Sequence, residues 1–227
     1  MHLAFRLQLD KSGALELPAF EPEEIDFWLN TAIVRFVKTR FTGTDKNLSF
    51  EEHIKRTEDL KTLIVEETLD PSEDDSNKPN AWIADLTDLT GDKWFILGEE
   101  VEIQYIKLGD SNSTTKRQGV TECTVDTYRS HIDDPYSEHI LHYEEAKPLR
   151  LVYQDTIELM TDGNYIINHY YIRYLKRPAV VSLSGTDDCD LPEHTHDEVI
   201  SIAVSMVLEN IEQPRYQSQM NELNKNE

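Results

Sequence analysis

A run of strand, turn and helix signals between Leu149 and Gln217 constrains the fold of this chain more than any other feature. Leu149–Tyr153 and Ile157–Met160 are rich in residues that favour strands. The TDGN sequence at Thr161–Asn164 predicts a hairpin turn, because Asp-Gly tolerates positive φ. A long strand rich in Tyr and Ile follows at Tyr165–Leu175. The recognisable residues of this segment build structure, so the pattern favours a protein of shape and contact over an enzyme.

A helix is predicted after this strand, over residues 194–213. Thr195 and Glu198 have the spacing of a capping box at its start, and Pro214 ends it. Residues 214–227 form a polar tail that is expected to be flexible. The apolar side of the helix is expected to comprise Val199, Ile202, Ala203, Met206, Val207 and Ile211. Its polar side is expected to comprise Ser201, Ser205, Glu209 and Glu212.

The chain is strongly acidic, because its 227 residues include 22 basic and 44 acidic side chains, a formal net charge of −22. Nucleic-acid binding depends on Lys and Arg that replace the counterions of the phosphates, so this charge argues against specific DNA recognition. Solubility alone would explain the charge. Two functional explanations stay open: mimicry of DNA, and the wall of a passage through which DNA slides without adhering.

The length of the chain favours one structural subunit, 1–227, with a substantial core. No apolar run approaches the roughly 18 residues that span a bilayer, and the N-terminus lacks the pattern of a secretory signal. Cys123 and Cys189 do not make a disulfide framework in a chain of this length. The sequence therefore predicts a protein that is made and matures in the cytoplasm.

The N-terminal part is expected to be an arm or short strand, followed by a helical hairpin over 20–65. Phe5, Leu7 and Leu9 alternate with polar residues, which is typical of a strand. Pro22 suits the first position of a helix that continues to about Phe41. The apolar face of this helix comprises Ile25, Trp28, Leu29, Ala32, Ile33, Phe36 and Val37.

A second helix is predicted after a short connection. Gly43 suits the end of the first helix, and Ser49 with Glu52 has the capping-box spacing that starts the second. The apolar face is expected to continue through Phe50, Ile54, Leu60, Leu63 and Ile64.

The middle of the chain is expected to be a loop followed by strands. Residues 66–80 are acidic and contain Pro and Ser, which indicates an acidic loop or linker. Residues 81–184 are expected to form a β-rich region with long loops, including strands at Trp94–Leu97 and Val101–Leu108. Gly109–Gly119 is expected to be a polar hairpin tip, and Thr124–His131 a short helix. The predicted fold is α+β, with an N-terminal helical hairpin, central and C-terminal antiparallel strands, and a C-terminal amphipathic helix.

Cys189, His194 and His196 have the spacing C-x4-H-x-H, which resembles part of a metal site. Structural zinc needs four ligands, and the sequence indicates no fourth. A nucleophilic pair of Cys189 with His194 lacks an oxyanion loop or a catalytic signature around it. Both histidines lie at the start of a predicted helix, where polar residues are ordinary. No catalytic, cofactor-binding or metal-ligating residue is therefore predicted, and a hydrolase or metal enzyme that uses these three residues stays as an alternative.

The acidic clusters also have structural explanations. Asp187, Asp188 and Asp190 could bind calcium, but the Gly and the distal Glu of a hand-type loop are missing. The pairs Asp133–Asp134 and Glu144–Glu145 could act as general acid and base. Adjacent acids are expected by chance among 44 acidic residues, so solvated turns are the simpler interpretation.

The tyrosines of Tyr165–Tyr174 could form a stacking platform for single-stranded nucleic acid. Their position in a β-strand of an acidic protein favours a packed sheet or a subunit interface instead.

Two parts of the chain resemble a known family of virion proteins. FEPEEIDFWLNTAIVRFVKTRFTG, at Phe20–Gly43, and the later FEEHIKRTEDLKTLI are similar to the helical hairpin that opens structural proteins of crAss-like phages, which infect gut Bacteroidetes. YIRYLKRPAVVSL and CDLPEHTHDEVISIAVSMVLENIEQPRYQ are similar to the C-terminal half of the same proteins. The resemblance covers residues 20–64 and 149–217 and lies in overall pattern, without a catalytic signature.

The family implied is that of neck ring proteins, which stack beneath the portal and connect head to tail. They are similar in logic to the gatekeeper, or tail tubular protein A, of short-tailed phages. The resemblance implies a homo-oligomeric ring, twelvefold to match the portal, in contact with the portal protein and with adjacent ring or tail proteins. It further implies assembly in the host cytoplasm, a place in the virion neck or tail, no cofactor, no membrane, and genomic DNA that passes through without sequence-specific binding.

In such a ring, Trp28, Phe36 and the apolar side of the C-terminal helix are expected to be core or interface. The acidic loops are expected to line the channel or to face solvent. The alternative is an acidic soluble binding module, a DNA mimic that inhibits a basic partner.

Overall fold

Helices and strands occupy different parts of this chain in the computed structural model. A helical unit comprises Met1–Leu63 and Pro178–Glu227, and a β unit comprises Ile64–Arg177. The structure describes residues 1–11, 20–43, 54–74, 78–105, 115–134, 146–183, 185 and 188–210. The predicted α+β class is confirmed.

The described residues form the following elements. The helices are α1 (His2–Lys11), α2 (Pro22–Thr42), α3 (Ile54–Leu60), α4 (Val125–Asp133) and α5 (His196–Asn210). The strands are β1 (Ile64–Leu69), β2 (Ser72–Glu73), β3 (Ala81–Asp85), β4 (Lys93–Tyr105), β5 (Thr115–Gly119), β6 (Thr121–Glu122), β7 (Leu149–Val152), β8 (Thr156–Met160) and β9 (Tyr165–Lys176). Single 3-10 turns lie at Lys61–Leu63, Leu86–Asp88 and Glu193–Thr195.

Helix α2 forms where the sequence predicts a helix, because both of its ends are specified locally. Glu21 and Glu24 make a capping box, in which the Glu24 carboxylate accepts from the Glu21 backbone N–H at 3.0 Å. Gly43 ends the helix at φ +64°, a region that favours glycine. Trp28 of this helix is half-buried. The other predicted apolar residues are confirmed as buried: Ile25, Leu29, Ala32, Ile33, Phe36 and Val37.

The prediction of an arm or strand at the N-terminus is wrong, because residues 2–11 form helix α1. Phe5 and Leu9 are buried at 0% and 5% exposure, and they lie four residues apart on one helix face. Leu7, which alternates with them in the sequence, is 51% exposed, and Leu3 is 72% exposed. The period-two pattern arises because α1 is apolar on two opposite faces, of which one is buried.

The second helix of the predicted hairpin is only partly described. Residues 44–53, which include the predicted start at Ser49 and Glu52, lie outside the described residues. Leu60 and Leu63 are buried as predicted. The prediction for Ile54 is wrong, because its side chain is 80% exposed. Ile64 does not continue the helix but begins β1.

The start of helix α5 also differs from the sequence prediction. The capping box is wrong, because the Thr195 hydroxyl donates to the Pro192 carbonyl at 2.8 Å and the Glu198 carboxylate pairs with Arg40. Ser205 was expected on the polar side but is buried, with its hydroxyl donating to the Ser201 carbonyl at 2.9 Å. Residues 211–213 of the predicted helix, with Ile211 and Glu212, and the tail 214–227 lie outside the described residues. The buried residues of α5 are Val199, Ile200, Ala203, Val204, Ser205, Val207 and Leu208.

The β unit contains two sheets among its described residues. One has the strand order β1-β9-β4-β5, and the other has the order β2-β3-β8-β7-β6. Neighbouring strands are antiparallel except β6 and β7, which are parallel. Both sheets contribute to one buried core: Leu69, Ala84, Leu86, Val101, Ile103, Ala146, Ile157, Leu159, Tyr165, Ile167, Tyr170, Ile172 and Tyr174.

The acidic loop predicted for 66–80 is wrong over its first residues. Residues 66–69 belong to β1, which pairs with β9 and buries Leu69, and residues 72–73 form β2. Glu66 and Glu67 hide the strand pattern, because charged residues are depleted in strands generally. Residues 75–77 lie outside the described residues.

Two further strand predictions change in the structure. The two strands predicted at Trp94–Leu97 and from Val101 are parts of one long strand, β4. The pairing of β4 with β9 has register shifts. Residues 106–114, which are the end of the second predicted strand and the first part of the predicted hairpin tip, lie outside the described residues. The remainder of the predicted tip, Thr115–Gly119, is strand β5. The short helix predicted near residue 124 is confirmed as α4, with Thr124 as its N-cap.

The turn predicted at Thr161–Asn164 is confirmed, with Gly163 at positive φ, but the predicted hairpin is wrong. Strand β8 pairs with β3 and β7, whereas β9 pairs with β1 and β4 in the other sheet, so the turn connects two sheets.

The turn can be tested by substitution. Gly163 has φ +83°, and a Cβ atom there would lie 3.0 Å from the Asn80 side chain. We expect Gly163→Ala to lower the free energy of unfolding by about 1–2 kcal/mol, because the left-handed conformation is strained for alanine. Gly98→Ala is the matched control, since a Cβ atom at Gly98 meets nothing within 4 Å. Urea unfolding measures both variants, and equal losses would contradict the turn.

Candidate assembly surfaces

The two faces of β9 differ sharply in character. Tyr165 and Ile167 face the core, and so do Tyr170, Ile172 and Tyr174. Between these two groups the pairing with β4 shifts register, so that residue 168 is an extra residue on β9. Side chains of a strand alternate between its two faces, so an extra residue moves the inward positions by one. The inward residues are therefore odd-numbered before the bulge and even-numbered after it. The predicted packed sheet is therefore confirmed for three of the tyrosines, and a stacking platform for bases is not formed by these buried side chains.

The outer face of the same sheet is charged and exposed. Arg117 lies over the ring of Tyr171, with its guanidinium carbon 3.6 Å from the ring centre. Arg117 also approaches the Glu100 carboxylate at 3.7 Å, and the Tyr171 hydroxyl donates to Glu102 at 3.3 Å. Pairs this exposed contribute little to stability, because water screens them. The face is thus a hydrated surface of mixed charge.

The edges of this sheet carry opposite charge. Strand β1 is one edge in the described residues and contains Glu66 and Glu67. Strand β5 is the other edge and contains Lys116 and Arg117. Lys116, Arg117 and Glu66 are exposed, and Glu67 is half-buried. Edge strands offer backbone groups to further strands, so the charges beside them affect which strands can join.

A buried ion pair lies inside the β unit. Arg150 Nη1 is 2.5 Å from Glu99 Oε2, and both side chains are less than 10% exposed. The Tyr170 hydroxyl donates to the other oxygen of Glu99. Burial raises the pKa of Glu99, although the hydrogen bond from Tyr170 and the charge of Arg150 oppose the rise. Arg150 also contacts Glu122, which is 77% exposed. This cluster holds β4, β7 and β9 together across the core.

A second buried ion pair lies inside the helical unit. Arg40 Nε, on α2, is 3.0 Å from Asp59 Oδ2 on α3, and the two side chains are 8% and 5% exposed. Arg40 also pairs with Glu198 on α5. His194 Nε2 is 3.1 Å from the other oxygen of Asp59. The cluster therefore connects α2, α3 and α5 and helps to hold these helices together.

The sequence candidates for a metal site have separate partners in the helical unit. His194 contacts Asp59, and His196 Nε2 lies 3.1 Å from the Leu191 carbonyl oxygen. Cys189 and His196 line an open depression of about 540 Å³. Burial raises the pKa of the Cys189 thiol, whereas a nucleophilic cysteine needs a lowered pKa. Among the described residues no group of three or more potential ligands could hold a metal ion.

The acidic candidates are dispersed. Asp190 Oδ2 accepts from the Ala179 backbone N–H at 3.1 Å, and Asp187 lies outside the described residues. Asp133 Oδ2 is 3.3 Å from Arg129 Nε at an exposed end of α4. Glu144 and Glu145 lie outside the described residues. The side chains that can be placed therefore act in turns and at helix ends.

The chain was compared with models of protein families. The model described as phage tail ring protein 3/4 matches residues 4–218. The chain belongs to this family. The match confirms the resemblance to crAss-like phage ring proteins, and it extends that resemblance through the middle region, which the sequence patterns alone did not cover. No curated protein matches the chain.

Membership of the phage tail ring protein 3/4 family makes the chain a structural component of a phage virion. The family description indicates a ring, so the surfaces that matter are those that contact other subunits. In the described part of the chain no helix is long and apolar enough to cross a membrane. The edge strands and the charged outer face of the β unit are consequently the best-defined candidates for contact.

Proposed function

We propose that the chain is a non-enzymatic ring subunit of the phage neck or tail, placed below the portal, whose ring forms part of the DNA passage. The observation that carries this proposal is the match of the tail ring family model over residues 4–218. The partners proposed are further copies of the chain in a twelvefold ring, the portal protein, and adjacent ring or tail proteins. The ring would assemble in the host cytoplasm and remain in the virion.

The charge of the chain supports a role in the DNA passage. At −22 per subunit, a ring of many copies is strongly negative. A negative lumen repels the phosphates of DNA, so that DNA slides through without adhering when the genome is ejected. The buried pairs Arg150–Glu99 and Arg40–Asp59 support a structural role, because both side chains of each pair are enclosed by packed elements.

Imaging of purified particles tests the proposal. The expected result is a ring of density below the portal that the β unit and the helical unit fit separately as rigid bodies. Counting of the subunits in that ring tests the twelvefold symmetry. Absence of the chain from intact particles, together with a monomeric state in the presence of portal, would contradict the proposed function. A protein that instead binds a basic partner as a monomer, with an affinity that collapses in salt, would indicate the DNA mimic.

A further inference from the structure

The two edges of the β1-β9-β4-β5 sheet are complementary in charge. Lys116 and Arg117 are adjacent exposed bases on β5, in a chain with twice as many acids as bases. Glu66 and Glu67 occupy β1 at the opposite edge. Two copies that met through identical edges would oppose like charges, whereas β5 of one copy beside β1 of the next opposes unlike charges. Charge thus favours a head-to-tail contact.

The strand directions are also compatible with a head-to-tail contact. Each neighbouring pair in this sheet is antiparallel, so β1 and β5 run in opposite directions. Adjacent copies in a ring are related by a rotation, and in a ring of many copies this rotation is small. The strands of the next copy keep nearly the same directions, and β5 therefore meets the next β1 in antiparallel orientation. The antiparallel alternation continues across the boundary.

The faces of the strands then select one register. Lys116 and Gln118 lie opposite the buried Ile103 and Val101, so they occupy the core side of the sheet, and Arg117 occupies the outer side. On β1, Leu69 is buried, which puts Glu67 on the core side as well and Glu66 on the outer side.

Antiparallel pairing with Arg117 opposite Glu66 matches these faces. The same register puts Lys116 opposite Glu67 and Thr115 opposite Thr68. A shift by one residue would exchange the two faces, and a shift by two would separate both charged pairs. Among the registers that keep the core sides of the two strands together, only this one places both basic residues opposite acidic residues.

We propose that adjacent copies of this chain join by addition of β5 of one copy to β1 of the next, with Arg117 opposite Glu66 and Thr115 opposite Thr68. The inference rests on the proposed ring function and specifies its subunit interface. Backbone hydrogen bonds between the two edges supply affinity, and the charges supply direction and register. Arg117 leaves Glu100 and the Tyr171 ring at little cost, because its side chain is 54% exposed and both ion pairs and cation–π contacts are weak at exposed sites.

Paired cysteines test the register directly. Directly opposite residues of an antiparallel pair have Cβ atoms about 4.5–5.5 Å apart, close to the separation in a disulfide. Thr68→Cys combined with Thr115→Cys, in a background with serine at Cys123 and Cys189, is oxidised mildly after incubation with portal protein. We expect a ladder of covalent multimers on a non-reducing gel. The matched controls are the two single variants, for which we expect monomers.

Each other outcome is decisive. Dimers of the Thr115→Cys single variant would show that identical edges pair, which overturns the inference. Rings visible by electron microscopy without a ladder from the double variant would overturn the interface and leave the ring function intact. Absence of rings with portal, and of the chain from particles, would overturn both.

Reversal of charge provides a second readout that does not need cysteines. We expect Arg117→Glu alone and Glu66→Arg alone each to reduce ring formation at least about tenfold, because each opposes like charges. The double variant Glu66→Arg with Arg117→Glu restores opposite charges and is expected to recover rings. If the double variant stays as defective as the single ones while its unfolding is unchanged, the proposed pairing is wrong.

Discussion

Replacement of Arg150 by methionine is expected to destabilise the β unit by about 3–5 kcal/mol at neutral pH, because it leaves a buried carboxylate without its cation. The Glu99 side chain is 6% exposed, so water cannot take over the role of the guanidinium. The Tyr170 hydroxyl still donates to Glu99 in the variant, but one neutral hydrogen bond does not replace an ion pair. Hydrogen exchange of the amides of β7 and β9 measures the loss within the β unit itself.

The loss caused by Arg150→Met is expected to depend on pH in a defined direction. Burial raises the pKa of Glu99 above the ordinary value of 4.5, so ionisation of Glu99 destabilises the folded unit as pH rises through its folded-state pKa. Without Arg150 that pKa is higher still, since the charge of Arg150 lowers it. The variant should therefore be most defective near neutral pH, and less defective below pH 4.5, where Glu99 is protonated in both the folded and the unfolded state.

The matched control for this prediction is the second partner of Arg150. Glu122 contacts Arg150 at 2.5 Å but is 77% exposed. We expect Glu122→Gln to change the stability by less than about 1 kcal/mol, because exposed ion pairs contribute little. A loss in Glu122→Gln that equals the loss in Arg150→Met, or a defect in Arg150→Met that does not diminish at low pH, would contradict the buried pair as the cause.

The elements that the sequence predicts well are those with local signals. Helix α2 has its start and end specified by Glu21, Pro22 and Gly43, within a few residues of the helix itself. The turn between β8 and β9 is specified by Gly163, whose positive φ no other residue type adopts as easily, although the two strands belong to different sheets. Such signals operate before any tertiary contact exists, so they can be interpreted from the chain alone.

The elements that the sequence does not predict depend on distant partners. β1 is a strand because β9, about a hundred residues later, pairs with it, and its own composition indicates a loop. The N-terminal segment is a helix that contacts α2 and α5 and buries Phe5 and Leu9, and the exposed Leu7 obscures the helical period.

The buried arginines illustrate the same limit for individual side chains. Arg150 pairs with Glu99, which lies far from it in the sequence, so no local sequence pattern could predict the contact. Arg40 is a basic residue in the last turn of α2, a position that usually faces solvent, but it follows Phe36 by four residues and therefore shares its buried face. That spacing was the available signal for its burial.

Replacement of Arg40 by methionine is expected to destabilise the helical unit by about 3–5 kcal/mol, because it leaves a second buried carboxylate without its cation. Asp59 is 5% exposed and would lose the guanidinium that lies 3.0 Å away. Glu198 would lose the same partner, and α2, α3 and α5 would lose the cluster that joins them. Methionine keeps an unbranched apolar side chain but loses the cation–π contact, in which Arg40 Cζ lies 5.0 Å from the centre of the Phe36 ring, so the measured loss reports mainly the charge.

Arg35→Met is the matched control for Arg40→Met, because Arg35 is exposed on the same helix and the substitution changes the net charge equally. We expect Arg35→Met to change the stability by no more than about 0.5 kcal/mol. Adding Asp59→Asn to Arg40→Met removes the buried charge that is left over and should recover part of the loss, since an unpaired buried charge costs more than a buried amide. Hydrogen exchange in α2 and α5 measures these variants without interference from the β unit. If the double variant is no more stable than Arg40→Met, the defect arises from lost packing and not from the unpaired Asp59 carboxylate. That result would contradict the role of the buried pair in holding the three helices together.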